Sequence, residues 1–176
     1  MRIISGKYRG KRIIAPKKLP VRPTTDMAKE ALFNILSNKF NFSDIKVLDL
    51  FAGIGSISFE FSSRFCYDVT SVEINSKCLT FLHKISNELN FNMTIFKKDA
   101  LSFLKKNNNT YDIIFADPPY DYKFYDDLIN YGVKVVKKKC WFILEHSKYI
   151  SFERNKNFKE CKKYGSVNFS IFENNE

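Results

Sequence analysis

The chain has no Cys-x-x-Cys pair. Its four cysteines, Cys66, Cys78, Cys140 and Cys161, stand far apart. That spacing supports neither a disulfide framework nor a zinc ribbon, and buried free thiols are the expected state. His83 and His146 have no partner at a ligand spacing, so no metal is assigned. No stretch approaches the roughly 18 apolar residues of a membrane span. The opening Met1-Arg2-Ile3-Ile4-Ser5-Gly6 runs into charged residues without the apolar core of a secretory signal. A soluble chain located in the cytoplasm is expected. The sharpest shortage is of negative charge near the start. Residues 1–23 hold no aspartate or glutamate, yet carry Arg2, Lys7, Arg9, Lys11, Arg12, Lys17, Lys18 and Arg22.

Eight of the 29 basic residues therefore precede residue 24, against none of the 19 acidic ones, so most of the net charge of +10 sits in one arm. A cationic arm on a near-neutral body is the electrostatic footprint of a polyanion binder. Ile3-Ile4 and Ile13-Ile14 flank the basic turn Lys7-Tyr8-Arg9-Gly10, a β-hairpin pattern that would hold Arg2, Lys7, Arg9, Lys11 and Arg12 toward phosphates. Arg22 follows in a proline-punctuated connector that ends at Pro23. The division expected is a basic extension over residues 1–23 and one globular domain over residues 24–176. At 176 residues and 44% hydrophobic, the chain has enough for a single substantial core.

Past the connector the pattern alternates. Thr24-Thr25-Asp26 offers helix caps, and Ala28, Ala31, Leu32, Ile35 and Leu36 recur at helical spacing, with the helix expected to end between Phe40 and Ser43. Strands are expected at residues 46–50, 68–72, 93–96, 112–116 and 141–145. Helices are expected at 55–64, 76–89, 100–106 and 124–136, with Ser76 as one cap. Two antiparallel strands, 158–164 and 167–172, close the chain around Gly165-Ser166. This order implies an α/β fold with a largely parallel sheet covered on both faces.

In such sheets ligands bind beyond the carboxyl ends of the strands. The first strand leads into Asp49-Leu50-Phe51-Ala52-Gly53-Ile54-Gly55, where Gly53 and Gly55 allow a sharp turn and close backbone approach. The third glycine of a G-x-G-x-x-G fingerprint is absent, because Ser58 stands there. An acidic loop also disfavours a pyrophosphate. It suits S-adenosylmethionine, which carries an ammonium, a sulfonium and a ribose diol. On this reading Asp49, Phe51, Ala52, Gly53 and Gly55 form the methionine end of the pocket, Glu73 meets the ribose, and Asp99 with the Ala100 N–H meets the adenine edge.

Asp117-Pro118-Pro119-Tyr120 follows the strand Ile113-Ile114-Phe115-Ala116. Two prolines can neither extend a ladder nor enter a helix interior, so they hold an acceptor beside a flat aromatic ring. That pairing suits a planar aromatic amine. Hydrogen bonds to Asp117 and to the Pro118 carbonyl would localise the amine's lone pair, while Tyr120 stacks on the base. Read together, the tetrapeptide and the glycine loop suggest methyl transfer to a nucleobase nitrogen.

The same residues resemble one family over nearly the whole chain. Met1-Arg2-Ile3-Ile4-Ser5-Gly6-Lys7-Tyr8-Arg9-Gly10, Arg22-Pro23-Thr24-Thr25-Asp26, Glu30-Ala31-Leu32-Phe33-Asn34, the glycine loop, the proline tetrapeptide and Lys163-Tyr164-Gly165 are similar to the RsmD family of 16S rRNA guanine-N2 methyltransferases. The resemblance implies a class I methyltransferase fold, with a seven-stranded, mostly parallel sheet preceded by an RNA-contacting β-hairpin. It also implies S-adenosylmethionine as cofactor and an N2-methylguanine made in the 16S rRNA of the assembling small ribosomal subunit. The family's Arg-Glu pair in the first helix is Lys29-Glu30 here, which keeps the charge but not a bidentate contact. A monomer is expected, with no membrane partner. The alternatives are a DNA adenine-N6 methyltransferase, a non-enzymatic RNA-binding module and an oxidoreductase. Arg22, Thr24 and Thr25 are open between capping the first helix and closing over the cofactor and base.

Overall fold

A computed structural model describes residues 1–16, 19 and 24–175. The expected phosphate contact Arg22, together with Lys17 and Lys18, lies outside the described residues.

Consecutive residues of the apolar runs face opposite ways. In the strand Tyr111–Ala116, Ile113 and Phe115 enter one core while Ile114 and Ala116 enter the other. A strand covered on both sides reads as unbroken apolar sequence for this reason. Seven strands form one sheet: β1 Lys46–Leu50, β2 Asp68–Glu73, β3 Met93–Lys97, β4 Tyr111–Ala116, β5 Val136–Ser147, β6 Phe158–Tyr164 and β7 Val167–Glu173. Their order is β3-β2-β1-β4-β5-β7-β6, with β7 antiparallel to both of its neighbours and the other pairings parallel. The chain winds outward from β1 through β2 to β3, then returns to the far side of β1 as β4. That reversal separates the connections after β1 and β4 and leaves a crevice above the two strand ends.

Five helices cover the sheet: α1 Asp26–Ser37, α2 Ser56–Ser63, α3 Ser76–Glu88, α4 Ala100–Lys106 and α5 Tyr125–Lys134. Leu32, Phe33 and Leu36 of α1 pack with Ile57 and Phe61 of α2 on one face. Phe103 and Leu104 of α4 pack with Leu128, Ile129 and Val133 of α5 on the other. Several boundaries differ from the sequence reading by a residue or more, three of them with a visible local cause. Helix α1 stops at Ser37, before the expected Phe40 to Ser43, and Phe40 turns edge-on to Trp141 at 5.4 Å. The cap of α3 is Asn75, not Ser76, because the Asn75 Oδ1 accepts the N–H groups of Lys77 and Cys78. Strand β5 begins at Val136 instead of residue 141, since Val136 already pairs with Tyr111 ahead of a register shift. Cys66 and Cys78 are buried free thiols as expected, while Cys140 and Cys161 are only half-buried.

The basic segment folds back as an antiparallel ribbon. Arg2 pairs with Arg12, the Ile3 N–H donates to the Lys11 carbonyl (3.0 Å), and the Ile13 N–H donates to the Met1 carbonyl (3.0 Å). Ile3 and Ile13 point inward and join Phe59 of α2 with Leu82, Ile85 and Leu89 of the α3 region. Gly6 has a positive φ of 83°, and a Cβ there would lie 1.8 Å from the Ser63 carbonyl oxygen, so only glycine fits this approach. The Lys7 N–H donates to that same carbonyl (2.7 Å), and the Tyr8 hydroxyl donates to the Leu89 carbonyl (2.7 Å).

Underneath the ribbon sits a buried carboxylate. Glu60 accepts the N–H groups of Ile4 (2.8 Å) and Ser5 (3.0 Å) and the Arg64 Nε–H (2.8 Å). Lys29, equally buried, places Nζ 3.6 Å from Glu60 and donates to the Arg2 carbonyl at 2.6 Å. Helices α1 and α2 thus hold the ribbon through its main chain.

Candidate active site

A cavity of about 560 Å³ opens where the crevice is expected. Its floor is the loop after β1. Phe51 has φ of 60°, a left-handed conformation that a bulky residue rarely adopts, and Gly53 and Gly55 follow at 55° and 84°. The turn is held by carboxylates at the ends of β1 and β2. The Gly53 N–H donates to Glu73 Oε2 (2.7 Å), and the Asn75 N–H donates to Glu73 Oε1 (2.6 Å). Asp49 Oδ2 accepts both the N–H (3.1 Å) and the hydroxyl of Ser58. The residue standing where a third glycine would be therefore ties β1 to α2. It also touches the Ser71 hydroxyl of β2 at 2.8 Å.

The opposite wall comes from β4 and β5. Asp117, Pro118, Pro119 and Tyr120 all line the cavity, with Pro118 buried and Tyr120 exposed at its mouth. The Tyr122 N–H donates to the Pro119 carbonyl (2.9 Å), which closes the turn, and the Tyr122 ring meets Phe51 edge-on at 5.4 Å. The Tyr122 hydroxyl is buried with no hydrogen-bond partner among the described residues. Burial first, then the nearby Asp99, pushes its pKa up to about 12.

Of the residues expected at a cofactor site, Asp49, Phe51, Ala52, Gly53, Glu73 and Asp99 meet at this cavity. Gly55 and Ala100 stand behind the wall. Gly55 packs so closely on Leu82 and Phe59 that a Cβ would lie 2.4 Å from Leu82 Cδ1, and Ala100 is buried against α5. Asp99 caps α4 by accepting the Ser102 N–H (2.8 Å). The ribbon cations are a separate group. Lys7, Arg9 and Arg12 are exposed, while Arg2 pairs with Asp26 (3.2 Å) and Lys11 with Glu88 (3.3 Å).

One charged wall residue, Glu145, is absent from the site residues expected from the sequence. Glu145, buried near the end of β5, accepts the Thr24 hydroxyl at 2.7 Å, and both residues face the cavity. The signal existed, because Glu145 closes the expected strand 141–145 just as Glu73 closes β2. Thr24 and Thr25 both line the cavity but differ in their partners. Thr25 caps α1 by accepting the Ala28 N–H (3.2 Å), whereas Thr24 points to Glu145. His146 turns away from the cavity. Its Nδ1–H donates to the Ser147 carbonyl (2.9 Å), so Nε2 accepts the Ser170 hydroxyl (2.8 Å), and burial lowers its pKa.

Among the described residues, the charged side chains that line the cavity are all acidic. Burial raises the pKa of Asp49 to about 7 against the two Ser58 hydrogen bonds, with Glu73 adding a smaller upward push. Asp117 is raised well above the ordinary range by burial, then by the carboxylates of Glu145 and Asp49. Buried like charges are relieved by protonation or by a cationic ligand. A ligand with phosphates would compound the strain. One with an ammonium and a sulfonium would remove it, and a diol would find acceptor capacity left on Glu73, since a carboxylate offers about four lone-pair sites.

Comparison with known proteins agrees with this chemistry. The family described as Conserved hypothetical protein 95 matches residues 1–173. The chain is 33% identical to the ribosomal RNA small subunit methyltransferase D of Buchnera aphidicola subsp. Baizongia pistaciae over 185 residues, covering 99% of this chain and 92% of that protein. It is 39% identical to the protein of the same name from Buchnera aphidicola subsp. Acyrthosiphon pisum over 166 residues, covering 92% and 85%. The solved structure of yhhF from Escherichia coli superimposes with a TM-score of 0.84 at 27% identity, over 99% of this chain and 98% of that one.

Proposed function

Because the chain belongs to the family described as Conserved hypothetical protein 95, the RsmD family, we propose that it methylates the exocyclic N2 amine of a guanine in small-subunit (16S) ribosomal RNA, using S-adenosylmethionine. The observation that carries the reading is the convergence of Asp49, Glu73 and Asp117 on one cavity whose wall includes the proline tetrapeptide.

When bound, the cofactor supplies a methyl group on a cationic sulfur. The loop Phe51-Ala52-Gly53 and Asp49 would hold its methionine end, Glu73 the ribose hydroxyls and Asp99 the adenine edge. Asp117 accepts one N–H of the target amine and the Pro118 carbonyl the other, which draws the nitrogen toward a tetrahedral shape and frees its lone pair. Bound there, the sulfonium would supply its methyl carbon to the freed lone pair with a neutral thioether as leaving group, and Asp117 or water would take the surplus amine proton. Positioning and fixed charge supply the catalysis, so no protein nucleophile is needed. Tyr120, at the mouth, stacks on the extruded base and offsets part of the few kcal/mol spent on unstacking.

The ribbon presents Lys7, Arg9 and Arg12 to the RNA backbone, with Arg2 and Lys11 as further members of the surface, and Arg22 is a further RNA contact expected from the sequence alone. No helix among the described residues is long and apolar enough to cross a membrane. The protein acts as a monomer in the cytoplasm, on RNA held in the assembling small subunit. Labelled methyl transfer to under-methylated small subunits, followed by nucleoside analysis, tests the reading. Label in N2-methylguanine supports it, and label confined to adenine rejects it.

A further inference from the structure

Strands β4 and β5 run parallel in a register that pairs Ala116 with Leu144. The residue that follows each is a carboxylate, Asp117 just past the end of β4 and Glu145 within β5, and both line the cavity. Neighbouring parallel strands lie about 4.8 Å apart, so two acceptors stand side by side at one height above the sheet. Their proximity is felt electrostatically, since after burial the Glu145 carboxylate is the largest influence on Asp117. The Thr24 hydroxyl donates to Glu145 Oε2 at 2.7 Å and so fixes the orientation of the carboxylate from the α1 side.

Transfer to an exocyclic amine requires only one carboxylate beside the amine. A second at the same height has a use on one base edge in particular. Guanine presents two adjacent donors on its Watson–Crick edge, the N2 amine and the N1–H. Adenine presents its N6 amine beside N1, which is an acceptor. Paired carboxylates match the first edge and oppose the second, because a lone pair aimed at N1 of adenine meets another lone pair. We propose that Glu145 is the specificity-determining residue of this site, accepting the guanine N1–H while Asp117 accepts the N2–H. This rests on the guanine-N2 reading above and deepens it. Accepting the N1–H also moves electron density toward N2, so the contact that selects the base helps to activate it. Thr24 acts through Glu145 as a positioning residue.

The test uses 2-aminopurine, which keeps the N2 amine but has a bare N1 acceptor. Small subunits are reconstituted with 16S rRNA carrying guanine or 2-aminopurine at the position found methylated, and kcat/KM is measured for each. The unaltered protein should favour guanine by about 100-fold, the scale on which a charged hydrogen bond discriminates. Glu145→Gln keeps the volume and can still accept the Thr24 hydroxyl, and its amide N–H can donate to N1 of 2-aminopurine. It should lower the rate on guanine by about 10- to 100-fold and raise that on 2-aminopurine, narrowing or reversing the ratio. Its melting temperature and its affinity for S-adenosylmethionine should stay unchanged. Equal losses on both bases would reduce Glu145 to a structural tie for Thr24 and overturn the assignment. Equal use of both bases by the unaltered protein would overturn it as well, while leaving guanine-N2 methylation intact. Failure of the unaltered protein to methylate guanine at all would bring down the guanine-N2 reading and this assignment with it.

Discussion

Lys29 Nζ lies 3.6 Å from the Glu60 carboxylate, and the two side chains are 1% and 0% exposed. The pair joins α1 to α2 beneath the basic ribbon. Burial lowers the pKa of Lys29, and the Glu60 charge opposes that shift. Its Nζ faces the Glu60 carboxylate and donates to the Arg2 carbonyl.

Removing Lys29 takes a buried cation from Glu60 and the donor from the Arg2 carbonyl, while Arg64 stays on Glu60. Lys29→Met should therefore cost about 3 kcal/mol of stability in urea unfolding. It should also loosen the ribbon before the sheet. Amide exchange should accelerate at Ile4 and Ser5, whose N–H groups end on Glu60. Unchanged exchange at those two amides would show that the pair does not hold the ribbon.

Asp117 is asked to act only on the base, with Asp49 and Glu73 left to the cofactor. Asp117→Ala should lower methyl transfer by at least about 10²-fold while S-adenosylmethionine still binds in calorimetry. A variant that keeps full turnover would remove Asp117 from the mechanism. One that loses cofactor affinity as severely as activity would move it to the other side of the pocket.

Asp49 makes a prediction in pH. Its pKa is raised from the ordinary carboxylate value to about 7, so between those values the folded protein holds a proton that the unfolded chain has released. Stability from this group is complete at low pH and is lost as pH rises through about 7. A cationic ligand favours the ionised form and should expel that proton. Calorimetry at pH 6 in two buffers of different ionisation enthalpy should register proton release on S-adenosylmethionine binding, declining above pH 7.5. Asp49→Asn should diminish the release, and if it persists undiminished, Asp117 or another group carries it.

The ribbon cations differ in availability. Lys11 and Arg2 are engaged with Glu88 and Asp26, whereas Lys7 and Arg9 are exposed. Changing Lys7 and Arg9 together to alanine should weaken RNA binding and lower the slope of log K against log salt by up to about 0.7–0.9 per lost phosphate contact. The affinity for S-adenosylmethionine should not move, because neither residue lines the cavity. An equal loss of cofactor affinity would mean that the ribbon's work is structural.

Much of this was legible because local physics leaves marks in the chain. Ile113-Ile114-Phe115-Ala116 had to be a doubly covered strand, Gly53 and Gly55 had to turn, and Pro118-Pro119 had to end regular structure. Each follows from which backbone angles and solvent environments those side chains tolerate. The acidic strand ends at Asp49 and Glu73 could be placed at one cavity because a parallel sheet stacks its carboxyl ends on one edge.

Other relationships had no local mark. Nothing near Glu60 in the sequence announces that it holds Ile4 and Ser5 across some 55 positions, or that Lys29 meets it there. Likewise Thr24 reaches Glu145 over 121 positions, and Asp117 stands beside Glu145 only because β4 and β5 adopt one register. Composition and short-range pattern determined the strands, the turns and the class of chemistry, since those depend on residues next to one another. Which buried charges face each other was decided by tertiary packing, because a carboxylate's partner is set by distance in space and by the loss of water, neither of which exists until the sheet has closed.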